Sequence, residues 1–192
     1  MTCSFVISLK MKQLIFLLSM AILIQACSEE EQLSPVPQVQ FKTFVKYSDA
    51  AGRDTAVDFV FTLVDGDGDI GFRENEFNTA CGADNSNLYL AYEEKSGLTY
   101  RPRKIWLEVV EISPTCDTLV YFDSVQVKFN QRMQYVEPAS NRKSIEATVT
   151  YRMDDLSALI LLAKTGRFEF YIRDRANNKS NIAYSADLDL VK

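Results

Sequence analysis

Histidine is absent from all 192 residues. That removes the side chain that most often serves as general base or transition-metal ligand near neutral pH. Ser–His triads, Cys–His dyads and histidine-bearing zinc sites are excluded with it. Basic runs are equally scarce. The largest is Arg101-Pro102-Arg103-Lys104, in a chain with 21 Lys and Arg against 26 Asp and Glu. An acidic chain without a larger basic patch does not attract nucleic acid. Long apolar runs are missing beyond the first 27 residues, so no later stretch is fit to span a bilayer.

What is present begins with MKQLIFLLSMAILIQAC (11–27). Lys12 is a short basic region, and Leu14 to Ile24 is an apolar core of 11 residues. That core suits a secretory signal and is too short for a membrane span. It ends in Ile24-Gln25-Ala26-Cys27, which resembles the lipobox of bacterial lipoproteins. The resemblance implies a signal at 1–26, starting functionally at Met11, and a lipidated Cys27. Acyl chains there would hold the chain to a membrane, each buried methylene contributing about 0.8 kcal/mol. Ser28-Glu29-Glu30-Glu31 follows and resembles the export signal of surface lipoproteins in Bacteroidetes-type bacteria; its alternative is a solvated tether. The resemblance implies an outer-membrane, cell-surface location. Residues 27–38, with two prolines, read as an extended spacer, and 39–192 as one domain. Residues 28–192 carry 19 basic and 26 acidic side chains, a net charge of −7.

The domain reads as all-β. Val57, Phe59, Phe61 and Leu63 alternate with Asp58, Val60 and Thr62. The same period of two runs through Leu88–Tyr92, Ile145–Tyr151 and Phe168–Ile172, and predicts inward Ile182, Tyr184, Leu188 and Leu190. Further strands are expected near 38–47, 98–112 and 119–128, and a short helix or turn over 154–164. Seven or so strands in this length predict an immunoglobulin-like β-sandwich, with long loops at 65–87 and 129–143. Cys81 and Cys116 lie in loop-like stretches, and outside the inner membrane such a pair favours a disulfide.

VDFVFTLVDGDGDIG, NLYLAYEEKSG and RFEFYIRDRANNKSN together resemble a group of Bacteroidetes hypothetical lipoproteins, marked by a DGDGDIG segment and a late DRAxNxSN turn. The resemblance covers roughly residues 40–190 and implies lineage, location and fold, with no activity to carry over. WLEVVEISPTCDTLVYF is longer than that pattern.

The DGDGDIGF stretch (65–72) is the main candidate site. Asp65, Asp67 and Asp69 fit positions 1, 3 and 5 of an EF-hand loop, with Glu76 at position 12. Ile70 stands where that loop needs glycine, and a strand precedes it, so it is not an EF-hand. In an immunoglobulin-like sandwich the turn holding Asp174 and Arg175 lies at the same end. Asp174 then becomes a fourth calcium ligand, or Arg175 neutralises the cluster. The alternatives are a structural turn, since Asp and Gly favour turns, and a catalytic carboxylate set drawn from Asp65, Asp69, Glu74 and Glu76.

Nothing marks one of these acids as proton donor and another as base, so the expectation is a protein that is not an enzyme. Glycan binding is the alternative to a binding or assembly role with an envelope protein; Trp106, Tyr89, Tyr100, Tyr121 and Tyr171 are its candidate aromatics. Asp54-Thr55-Ala56, Asp117-Thr118-Leu119 and Asp123-Ser124-Val125 resemble the O-glycosylation motif of exported Bacteroidetes proteins, which nominates Thr55, Thr118 and Ser124.

Overall fold

The computed structural model describes residues 33–138, 143–154 and 165–191. Nine strands follow in chain order: β1 Gln38–Ser48, β2 Asp54–Asp65, β3 Leu88–Ser96, β4 Thr99–Pro102, β5 Lys104–Ile112, β6 Thr118–Gln126, β7 Ile145–Met153, β8 Gly166–Ile172 and β9 Ala183–Tyr184. One antiparallel sheet has the order β1-β2-β7, a second β4-β3-β8-β9, and β5-β6 form a two-stranded ribbon. The expected helix or turn falls largely on residues 155–164, outside those described.

The two larger sheets bury their period-two faces against each other. Val57, Phe59, Phe61 and Leu63 of β2 are fully buried, as are Phe168, Phe170 and Ile172 of β8. Phe59 meets Phe170 edge-on at 4.9 Å between ring centroids, and Phe168 at 5.7 Å. Each such ring contributes roughly 1.5–3 kcal/mol on burial. The all-β sandwich character expected from the alternation is therefore observed.

Two details of the alternation differ. Asp58 and Val60, expected outward, are each 8 % exposed. β2 is the central strand of its sheet, so neighbours cover its outer face. Tyr47 Oη donates to Asp58 Oδ2 at 2.7 Å, and the Arg152 guanidinium lies 4.3 Å over the Tyr47 ring. In the last segment, Ile182 and Tyr184 point outward, at 46 % and 44 % exposed. Ser180 and Ser185 explain the reversal. Their hydroxyls accept the backbone N–H groups of Ile172 and Phe168, replacing ladder bonds that a continuous strand would supply. The inward parity returns only at Leu188, which is 2 % exposed.

The ribbon grows from the edge of the second sheet. Past Gln126 the chain runs beside β3: Tyr92 N–H donates to Val127 O, Phe129 N–H to Leu90 O and Gln131 N–H to Leu88 O. The unusually long middle stretch noted in the sequence is this ribbon.

Candidate functional site

The aspartate stretch starts where β2 leaves its sheet, with Asp65 still paired to Ile145 of β7. It is not a solvated turn. Asp65 is fully buried and Ile70 sits in the core. The chain packs so closely that a side chain at Gly66 would meet Leu33 O at 2.2 Å and Ser34 O at 2.5 Å. Gly66 N–H donates to Ser34 O at 2.8 Å, which ties the end of the proline-containing spacer to the domain. Gly68 has φ +70°, and a Cβ there would lie 1.9 Å from Lys143 O. We expect Gly68→Ala to destabilise the domain by roughly 2–3 kcal/mol, from left-handed strain plus overpacking; urea unfolding reads this directly.

The late turn meets this loop. Asp174 is 3 % exposed, two residues past β8. Asp69 O accepts Arg175 N–H, and Asp69 Oδ2 accepts Ala176 N–H at 3.0 Å. The two motif segments of the resemblance are thus spatial partners. Asn178 donates to both Asp174 oxygens, through N–H at 2.7 Å and Nδ2 at 2.8 Å. Asn181 pairs with the backbone of Val39 on both sides, its Oδ1 accepting N–H and its Nδ2 donating to the carbonyl. Asn177 takes the left-handed conformation, φ 66°, that closes the turn.

Asp65, Asp69 and Asp174 each offer an oxygen within 4.8 Å of the others. Asp67 is exposed and outside this trio. Asp69 N–H donates to Asp65 Oδ2 at 3.0 Å, while Asp65 Oδ1 and Asp69 Oδ1 are buried without a partner. Burial first, then the Asp67 charge, pushes the Asp65 carboxyl up to about 7. Burial and the Asp174 charge likewise raise Asp69. Arg175, the sequence candidate for neutralising the cluster, instead pairs with Glu76. Among the described residues no ion pair reaches Asp65, Asp69 or Asp174. Of the other acids nominated for catalysis, Glu74 is exposed and Glu76 is held by Arg73 and Arg175.

Cys81 and Cys116 form a disulfide with Cα atoms 5.2 Å apart. It joins the 66–87 loop to the β5–β6 turn. Cross-strand pairs place Trp106, Glu108, Val110 and Ile112 on one ribbon face with Ser124, Phe122, Val120 and Thr118. On it Trp106 is 76 % exposed and Phe122 72 %, with Val110, Val120 and Ile112 about half exposed. Trp106 and Phe122 are diagonal neighbours, close enough to act together. A groove of about 740 Å³ opens beside the tip, lined by Gly82, Ala83, Ile112, Asp117 and Leu119 among others.

Of the nominated aromatics, only Trp106 stands open. Tyr89 and Tyr171 stack at 4.7 Å, with Lys179 over Tyr171. Tyr100 donates to Asp187 and Tyr121 to Glu111. Phe122 was missed. Its signal was apolar residues at both parities in TLVYF and WLEVV, which a half-buried strand does not need. Thr55 donates to Tyr47 O, Thr118 is exposed and Ser124 half-buried, so the three nominated hydroxyls differ in access. Cys27 lies outside the described residues.

No protein-family model, curated protein or solved structure matches the chain.

Proposed function

We propose that this is a lipid-anchored protein of the bacterial outer membrane, displayed at the cell surface through Cys27, whose domain binds another envelope protein. The class is an immunoglobulin-like binding domain. Strand order supports it: first, second and fifth sandwich strands in one sheet, third, fourth, sixth and seventh in the other, with the ribbon inserted between fourth and fifth.

The observation that carries the binding role is the open ribbon face. Trp106 and Phe122 alone offer roughly 300 Å² of exposed aromatic surface, and the aliphatic neighbours extend it to the size of patches that mark interaction sites. The disulfide holds the ribbon tip, which lowers the ordering cost of binding. Charge selects the partner. Beyond Lys104 at its base, the ribbon carries Glu108 on the Trp106 face, Glu111 and Asp123 on the opposite face and Asp117 at the tip, with no Lys or Arg over 105–126. The fitting partner is a protein surface with an apolar strip rimmed by basic side chains.

The test is photo-crosslinking from position 106 in the intact envelope, then affinity measurement with the purified crosslinked protein. Trp106→Ala with Phe122→Ala is expected to weaken binding at least 30-fold, as truncation of central aromatic anchors does, and added salt to weaken it further. Affinity unchanged by both substitutions overturns the proposal. Trp106-dependent dimerisation in sedimentation would assign the face to a second copy instead. Retention on a glycan array that depends on Trp106 would favour the carbohydrate reading, which the adjacency of Trp106 to Phe122 supports.

A further inference from the structure

We propose that Asp65, Asp69 and Asp174 bind one calcium ion that clamps the two sheets together at the end of β2. The inference is independent of the ribbon face.

Three observations meet here. The first is reach. Calcium–oxygen bonds of 2.3–2.6 Å allow ligand oxygens on one ion to stand up to about 5.2 Å apart. The three aspartate oxygens, all within 4.8 Å, fall inside that limit without rearrangement.

The second is the wholly buried Asp65, which brings to the cluster an oxygen without any hydrogen-bond partner; Asp69 does the same. Buried carboxylate oxygens are ordinarily paired or bound to metal. A solvated turn would leave such atoms to water, yet Asp65 has no exposed surface. The charge count agrees. Three carboxylates converge, while in the late turn the Arg175 guanidinium is committed to Glu76 and that of Arg173 to Asn177.

The third is how the trio is mounted. Asp65 ends a strand of the first sheet, Asp174 follows a strand of the second, and Asp69 is bonded to the backbone of Arg175 and Ala176. An ion on all three therefore spans both sheets. Oxygen-only ligands on an irregular loop suit calcium, which tolerates variable coordination. Magnesium demands a near-ideal octahedron and keeps its waters, and a wholly buried ligand leaves little space for them. Asp67 is exposed and outside the trio, and acts on it through its neighbouring charge. That separates the site from the alternating-aspartate pattern that first suggests it.

The test uses the purified full chain, stripped with EDTA and titrated with calcium chloride in a calorimeter, with melting curves in EDTA, calcium and magnesium. One calcium per chain is expected, with the melting temperature raised by roughly 5–10 °C at calcium a hundred-fold above Kd, and a smaller rise with magnesium. Asp65→Asn and Asp174→Asn should abolish both the heat and the shift, while Asp67→Asn keeps them. Superimposable melting curves in EDTA and calcium overturn the proposal. So does a shift that survives in Asp65→Asn and Asp174→Asn, or one that disappears in Asp67→Asn. Should Asp65→Asn fail to fold, the wild-type titration and the Asp174→Asn and Asp67→Asn pair decide the matter.

Discussion

Stripped of divalent cations, the protein is expected to lose stability as pH rises from 5 to 8, by on the order of 3 kcal/mol. Asp65 is responsible. Its folded carboxyl titrates near 7, against an ordinary value of 3.8. Between those values the folded state holds a proton that the unfolded chain has released. Stability therefore falls as pH rises through that window, and the contribution is gone above the folded value. Asp69 is shifted in the same direction and adds to the slope. Asp49, Asp54, Glu76, Asp84 and Asp187 are shifted downward, so their stabilisation is present above the ordinary carboxylate range and is lost only in stronger acid. Urea unfolding in EDTA across pH 5–8 measures the slope. Asp65→Asn should flatten most of it, and at pH 8 should be more stable than wild type without metal. Calcium binding needs the ionised carboxylates. Its stabilisation should therefore grow from small at pH 5 to full at pH 8, opposing the metal-free trend. A flat metal-free profile would mean that the buried carboxyl is not perturbed.

Phe59→Ala is expected to cost roughly 4–5 kcal/mol, the upper end for a buried ring, and to lower the melting temperature by about 10–20 °C. Phe59 has no exposed surface and touches five other rings, Phe41, Phe44, Phe61, Phe168 and Phe170, at centroid distances of 4.9–5.7 Å. The cavity would open between the two sheets, where rings from both must shift to fill it. Phe122→Ala is the matched control. Its ring is 72 % exposed, and its loss should change stability by less than about 0.5 kcal/mol. Equal effects of the two substitutions would contradict the packing described.

The inward faces of β2, β3, β7 and β8 were legible because each strand has one face lined by apolar residues, and a period of two records that directly. The burial of Asp58 was not, because it depends on Tyr47 and Arg152 arriving from neighbouring strands. The reversal at Ile182 and Tyr184 was hidden for a related reason. Serine hydroxyls taking backbone N–H groups leave no trace in apolar spacing. At the site, Asp65, Asp69 and Asp174 could be nominated from sequence because carboxylates in glycine-rich loops are conspicuous. That Asp67 is exposed while its neighbours turn inward could not be, since alternation along a loop does not fix which side chains point to the core. Glu76 fitted an EF-hand spacing, yet it serves as the anchor of Arg175. The ribbon was legible as strands. Its open face was not, since apolar residues at both parities equally describe a strand buried on both sides.

The bond between Asn181 and Val39 also has a consequence in time. Val39, the second residue of the first strand, is held on both its N–H and its carbonyl by a side chain 142 positions later. Asp54 is likewise bound by Val191, whose carbonyl accepts its N–H and whose N–H meets its carboxylate. A chain delivered from its N-terminus can therefore pair β1, β2 and β7 once Met153 has emerged, while the start of β1 and the start of β2 gain their remaining bonds only when residues 181 and 191 arrive.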